Sequence, residues 1–341
     1  VPWVIAPAKI PNIIIEYGAS HTDRIEEFDT NQAQLSYVSI PSFNDMYDGY
    51  EYKDWVPFSS ILENEGPGIG GNFIRLNTQI FPTNITDFRL AIAHAINYSA
   101  ILDSVYEFNG TALGQMYVGP ITPTLPYYNP NHLPVYSYNV SLAEQYLSKA
   151  GIEGGFYVIL PNGSLIGDTS GSQLQTIPIY TTSPIPPSVE TELAIIRSDL
   201  AQIGISTSIQ AVTPAVTRTW TTPQSAPAIR LGGWYPDWPD PVFQELLVMT
   251  SVQYWDAGNG AWLNNSALNS IMNTLPWETN AQQIEKGVAE AYNITYELAP
   301  YIWLPISYTY WFQQPYLRGV VYNPFTGYYY NLMYYVNYTL P

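Results

Sequence analysis

The sequence predicts an α/β protein of two lobes. Three observations carry that prediction. A chain of 341 residues is longer than one hydrophobic core ordinarily fills, so two lobes are expected. Hydrophobic residues, at 46%, are numerous enough to fill both. From about 140 to 231 helical and strand patterns alternate, which is the order of an α/β ligand-binding lobe rather than of a repeat array.

Taken in order, residues 12–17 (NIIIEY) read as an apolar strand, followed by a short helix and a second strand at 34–40. The polar, glycine-rich passage 63–72 reads as a crossing between lobes, and 73–77 as the next strand. Thr86 or Asp87 is expected to cap a helix running to about Tyr106, with Phe88, Ile92, Ala95, Ser99 and Leu102 on one stripe and Arg89 on the polar side. A stretch rich in proline and tyrosine wraps the next thirty residues. Ser141 and Glu144 have the spacing of a capping box, and Gly151 reads as a stop, which predicts a helix over 142–150.

Strands are expected at 156–160 and 175–180. Leu193, Ile196, Leu200 and Ile203 recur at helical spacing before Gly204, which predicts a helix over 189–203. Strands at 206–212 and 226–231 follow. Helices are expected over 242–249 and 284–298, with Asn293 on the polar face of the second. Residues 301–305 read as a strand, and the aromatic, nearly chargeless tail as strands and loops of the first lobe.

Composition excludes several functions. There is no cysteine, which removes disulfides, thiolate catalysis and cysteine-based metal sites. His21, His94 and His132 have no metal-ligand spacing, so neither a metal nor another cofactor is expected. A net charge of −17 argues against nucleic acid and against docking on anionic lipid. Only 11% of residues are charged; with the carboxylates protonated, the bases and histidines would leave about +14, a modest self-repulsion that points to an acidic extracellular habitat.

Asn-X-Ser/Thr sequons at Asn84, Asn97, Asn109, Asn139, Asn162, Asn264, Asn293 and Asn337 exceed what composition gives by chance, and point to an exported glycoprotein. No run of 18 apolar residues is present, so any anchor is expected outside this chain.

The stretch GGWYPDWPDP (232–241) stands out. It sets two indoles, a phenol and two carboxylates among three prolines, directly after an apolar strand. Proline bars both helix and ladder, so a rigid loop is expected at a strand end, where α/β proteins collect ligands. The loop as a whole is a candidate for touching a ligand. The same residues also suit an ordinary core and turn.

Five phrases in order, LNTQIFPTNITDFRLAIAHAIN (76–97), LAEQYLSKAG (142–151), IRSDLAQIGI (196–205), GWYPDWPDP (233–241) and WLPISYTY (303–310), resemble the extracytoplasmic solute-binding proteins of oligopeptide and dipeptide ABC importers. The resemblance implies a type II periplasmic-binding-protein fold, two lobes joined by hinge strands, with the N-terminal part of the first lobe absent. Residues 1–72 and 309–341 would form the first lobe and 73–308 the second. It also implies that Asp237 pairs with a peptide's ammonium, with Trp234 and Tyr235 on the same wall, and that a membrane permease is the partner.

Asn97 stands where the family has aspartate, lysines are few, and about two hundred family residues have no counterpart before Val1, so a fragment or a second polypeptide completing the lobe is expected. Oligosaccharide is the alternative ligand, since aromatic faces suit sugars. A structural cell-surface protein reusing the fold is the alternative of another class. No catalytic motif supports an enzyme: Asp237 and Asp240 lie close in a stiff loop, unlike a glycosidase pair, and no nucleophile elbow or phosphate loop occurs.

Overall fold

A computed structural model describes residues 8–255 and 258–337. The chain divides into two compact units. The smaller comprises residues 1–67, 107–113 and 308–341; the larger comprises 68–106 and 114–307. The first division falls inside the polar passage at 63–72. The short excursion 107–113 belongs to the smaller unit, although nothing in its sequence separates it from its surroundings.

The larger unit is built on a five-stranded mixed sheet. Its elements, in chain order, begin with β1 (Gly71–Leu76), α1 (Thr86–Ala95), α2 (Tyr98–Val105), α3 (Val140–Gly154) and β2 (Phe156–Ile159). They continue with β3 (Ile177–Thr182), α4 (Pro187–Gln202), β4 (Thr207–Val212), β5 (Ile229–Trp234), α5 (Ser266–Thr274), α6 (Ala281–Leu298) and β6 (Tyr301–Trp303). The sheet order is β4, β3, β5, β1, β6. The first three strands run parallel, whereas β1 is antiparallel to both β5 and β6. Strand β2 lies in a separate three-stranded sheet.

The two faces of this sheet differ. Ile74, Leu76, Ile229, Leu231 and Ile302 alternate onto one face and are buried. Phe73, Tyr301 and Trp303 lie on the other, in a cluster with Tyr117, Met249, Ala261 and Ile306. Burying side chains of this size contributes about 1.5–3 kcal/mol each, which is why the apolar alternation fixes register.

The helix expected over 86–106 is two. It breaks at Ile96, which takes an extended conformation, and Asn97 caps the second segment by accepting from Ala100 N at 3.0 Å. Asn97 N donates to Asp199 at 2.8 Å, a partner about a hundred residues away. Thr86 and Asp87 lie inside α1, which has no side-chain cap. Arg89, read as solvent-facing, is buried: Nε donates to Leu298 O at 2.8 Å and Nη1 to Thr83 O at 2.8 Å.

The cap of α3 is Asn139, accepting from Leu142 N at 3.0 Å, rather than a Ser141–Glu144 box. That helix passes through Gly151 and stops at Gly155, whose φ of 65° needs no Cβ. A reciprocal capping box does form elsewhere, between Ser20 and Asp23.

In the smaller unit Leu35–Ser36 and Leu62–Pro67 pair with residues 308–313, all antiparallel. The helices His21–Asp29 and Phe43–Asp48 supply Phe28 and Phe43 to an aromatic core with Phe58, Phe108 and Phe312. Gln314 ties it together, accepting from the Tyr50 hydroxyl at 2.8 Å and donating to Phe28 O at 2.8 Å. The strand expected at 12–17 does not form. Its backbone finds no ladder, and Ile14 and Tyr17 are 85% and 89% exposed.

Candidate functional site

The GGWYPDWPDP stretch begins as strand. Strand β5 starts three residues later than its apolar run and continues through Gly232 and Gly233 to Trp234, which pairs with Gly71. The loop proper is Tyr235 to Asp240. It is followed by a wide helical segment of π type, Pro241–Leu247, continuous with the α-helical turn Val248–Thr250. That places the helix expected over 242–249.

Gln244 fastens the loop from below. Its backbone carbonyl accepts from Trp234 Nε1 at 2.6 Å, and its Oε1 accepts from Asp237 N at 2.8 Å. Gln244 is buried, so these bonds form out of water, where losing one is costly. Asp240 caps the π segment, its Oδ1 accepting from Val242 N at 3.1 Å and Phe243 N at 2.8 Å. The two aspartates therefore differ in kind. Asp240 is spent on backbone, while the Asp237 side chain is exposed.

Trp234 is half-buried against the aromatic cluster. Tyr235 is 61% exposed and Trp238 47%, with Trp238 stacked on Phe243 at 6.3 Å between ring centroids. Tyr235 also lies across Gly70, where a Cβ would come within 2.3 Å of its ring. The loop thus presents a carboxylate flanked by exposed aromatic faces on a braced turn. Such a surface suits a cation or a hydroxylated ring.

Sequence reading passed over two charged residues close by. Arg75 on β1 reaches the same strand end, its Nη2 donating to Gly233 O at 2.7 Å, and Arg230 is its register partner on β5. The available signal was an arginine inside each of two short apolar strands, in a chain with only 11 lysines and arginines.

The remaining sequence candidates lie apart from this loop. Seven of the sequon asparagines are exposed; Asn97 is half-buried and its carboxamide oxygen caps α2. His21 Nε2 meets Ser39 N at 3.2 Å, and His94 Nδ1 lies 2.9 Å from Ser137 O. Among the described residues no group of three metal-ligating side chains occurs, and no helix is long and apolar enough to cross a membrane.

Comparison with known proteins places these elements. A family model described as "Bacterial extracellular solute-binding proteins, family 5 Middle" matches residues 3–252. Heme-binding protein A of Haemophilus influenzae is 27% identical over 278 residues, covering 79% of this chain and 45% of that protein. The dipeptide-binding protein of Escherichia coli is 27% identical over 150 residues, 44% of this chain and 24% of that protein. Among solved structures, the periplasmic binding protein DppA of Helicobacter pylori, in complex with peptide STSA, superposes with a TM-score of 0.70 at 23% identity. That match covers 92% of this chain and 55% of that one, so the chain spans about half the length of that protein and of the Haemophilus influenzae relative. The expected architecture, two α/β lobes of the type II periplasmic-binding kind, is the fold they share.

Proposed function

The chain belongs to family 5 of the bacterial extracellular solute-binding proteins, a family of binding proteins rather than enzymes, and on that premise we propose that it is the receptor part of an ABC importer. It captures peptides outside the cytoplasm and delivers them to a membrane permease, held at the surface by a segment beyond this chain. A second polypeptide completing the first lobe fits the length of the relatives. Those relatives are named for haem, dipeptide and peptide, so the solute has to be argued from the site.

The observation that carries the peptide reading is the exposed carboxylate of Asp237, braced through its own backbone by Gln244. An ammonium leaves water for an apolar cleft only against a carboxylate, and this one has no cap or turn to serve. Trp234 and Tyr235 then form the wall beside it. Extended peptide backbone is held by main-chain pairing, which leaves side chains in loose pockets. The exposed faces of Tyr235 and Trp238 are what favours oligosaccharide as the second reading.

Mass spectrometry of the gently desolvated native protein identifies the bound solute, and calorimetric titration with Asp237→Asn tests the site. An amine-bearing peptide should bind the variant at least about tenfold more weakly, about 1.5–3 kcal/mol. Unchanged affinity removes Asp237 from the site. Bound sugars in place of peptides transfer the function to the second reading.

A further inference from the structure

The π segment Pro241–Leu247 holds the ligand loop and is itself held from elsewhere. Gln244 accepts from Trp234 Nε1 and from Asp237 N. The next residue, Glu245, reaches a different part of the chain: it is 1% exposed, and its Oε2 accepts from Thr122 N at 2.9 Å.

Thr122 belongs to the stretch rich in proline and tyrosine, and its neighbours are fixed as closely. The Tyr117 hydroxyl donates to Pro120 O at 2.9 Å. The Tyr292 hydroxyl of α6 accepts from Ile121 N at 3.0 Å and donates to Ile121 O at 3.2 Å. Tyr117 packs edge-on against Trp303, in the cluster on which Trp234 rests. Residues 120–122 are therefore tied to that cluster, to α6 and, through Glu245, to the segment that holds the loop.

Glu245 has nothing to balance its charge. Between Glu107 and Glu144 the chain contains no lysine, arginine, aspartate or glutamate. The ionisable groups that face it are Tyr117 and Tyr292, with Tyr128 next to both. Burial holds all three phenols above their ordinary range, so they stay neutral, and the hydroxyls of Tyr117 and Tyr292 are committed to backbone carbonyls. The turns Val248–Thr250 and Leu275–Trp277 bring no ionisable side chain. Burial pushes the carboxyl up to about 8 against the opposing effect of Thr122. Glu245 is thus a neutral acid below that pH and an uncompensated buried charge above it.

We propose that Glu245 is a positioning residue of the ligand loop: as a neutral acid it fastens the π segment to residues 120–122, and its ionisation loosens Gln244 and, through it, Trp234 and Asp237. That these residues hold a peptide rests on the reading above; the brace itself does not. A buried carboxylate with a single backbone donor draws water between the two segments it joins. The loop then loses its anchor without any change in its own residues. The liganded form, with the loop in place, holds the Glu245 proton more tightly than the free form. Affinity is therefore complete well below pH 8 and is lost as pH rises through it.

The test compares the wild type with Glu245→Gln, which keeps an acceptor for Thr122 N and cannot ionise. Calorimetric titration with trialanine is run at pH 6 and pH 9, and hydrogen exchange is measured on the ligand-free chains at both. If binding raises the proton affinity of Glu245 about tenfold, the affinity of the wild type relative to the variant should fall about fivefold from pH 6 to pH 9. The peptide's own amine titrates in this range against both chains, so it cancels in the ratio. Without ligand, residues 233–248 should exchange at equal rates in the two chains at pH 6 and faster in the wild type at pH 9. In the wild type alone, protection of 233–248 relative to β3 should drop between the two pH values, a measure that needs no variant; constant relative protection overturns the brace.

Where trialanine binds, an affinity ratio that does not change with pH overturns the proposal and leaves the peptide reading standing. Where it binds neither chain, the exchange decides. Faster exchange of the wild type at pH 9 then supports the brace and removes the peptide, and equal exchange overturns the brace as well.

Discussion

Single residues in the recognised phrases turn out to be brackets of the scaffold. Asn77 donates to Pro223 O at 2.8 Å, fixing the segment that leads into β5, and Asp199 accepts from Asn97 N at the break between α1 and α2. Asn97 itself supplies the oxygen that an aspartate would supply at a helix cap, so this departure from the family pattern costs the helix little. Arg89 is the most committed of the set. It is 3% exposed, donates to two carbonyls and to Thr86 Oγ1 at 3.0 Å, and burial lowers its pKa to about 10. Arg89→Met should destabilise the protein by about 2–4 kcal/mol, because two buried carbonyls lose their donors. Urea unfolding checks this; a variant as stable as the wild type would show that the desolvation of Arg89 cancels its bonds.

At the scale of elements, what lies within one turn of the chain was legible and what depends on distant partners was not. The periodicity of Leu193, Ile196 and Leu200 and the glycine after it located α4, because burial and a φ of 78° at Gly204 are local demands. The break at Ile96 depends on Asp199, which local pattern cannot see. Strand β5 ran past its apolar residues because Gly232 and Gly233, read as the start of the rigid loop, pair with β1. The NIIIEY run has strand composition but no ladder partner among the described residues, and composition alone does not make a strand. In the candidate site the rigid loop was legible from its prolines, whereas the bracing role of Gln244 and the arginine pairing arise from tertiary register.

The division of labour between the two loop aspartates gives an element-scale prediction. Asp240→Ala should lower stability by about 1 kcal/mol through loss of the cap, with ligand affinity nearly unchanged, and Asp240→Asn should restore most of it. Chemical unfolding paired with titration reads both. A large loss of affinity without loss of stability would move Asp240 into the binding surface.

Over the whole molecule several carboxyls are buried, and Glu192 and Glu245 have no cation beside them among the described residues. Glu192 is 1% exposed, with the Tyr106 hydroxyl 3.5 Å from Oε1 and no hydrogen bond to Oε2 among the described residues. Glu245 accepts from Thr122 N at 2.9 Å, and its other oxygen makes no hydrogen bond among the described residues. Desolvation raises both to about 8, and raises Asp29 to about 7 against the opposing effect of Lys53. A carboxyl whose pKa is higher when folded makes the native state bind more protons than the unfolded one. The resulting stability is complete below the ordinary carboxylate range, about 4–4.5, and is lost as pH rises through 7 to 8. Asp23, Asp168 and Glu278 are shifted the other way by hydrogen bonds, but they are exposed and weigh little. The net charge of −17 adds self-repulsion in the same direction, since it too is relieved in acid. Scanning calorimetry should therefore give a higher melting temperature at pH 5 than at pH 8. The double variant Glu192→Gln, Glu245→Gln, neutral at every pH, should flatten that slope by gaining most at pH 8. A wild type that melts higher at pH 8 would mean that these carboxyls stay ionised in the folded protein, and would remove the thermodynamic support for the acidic habitat inferred from composition.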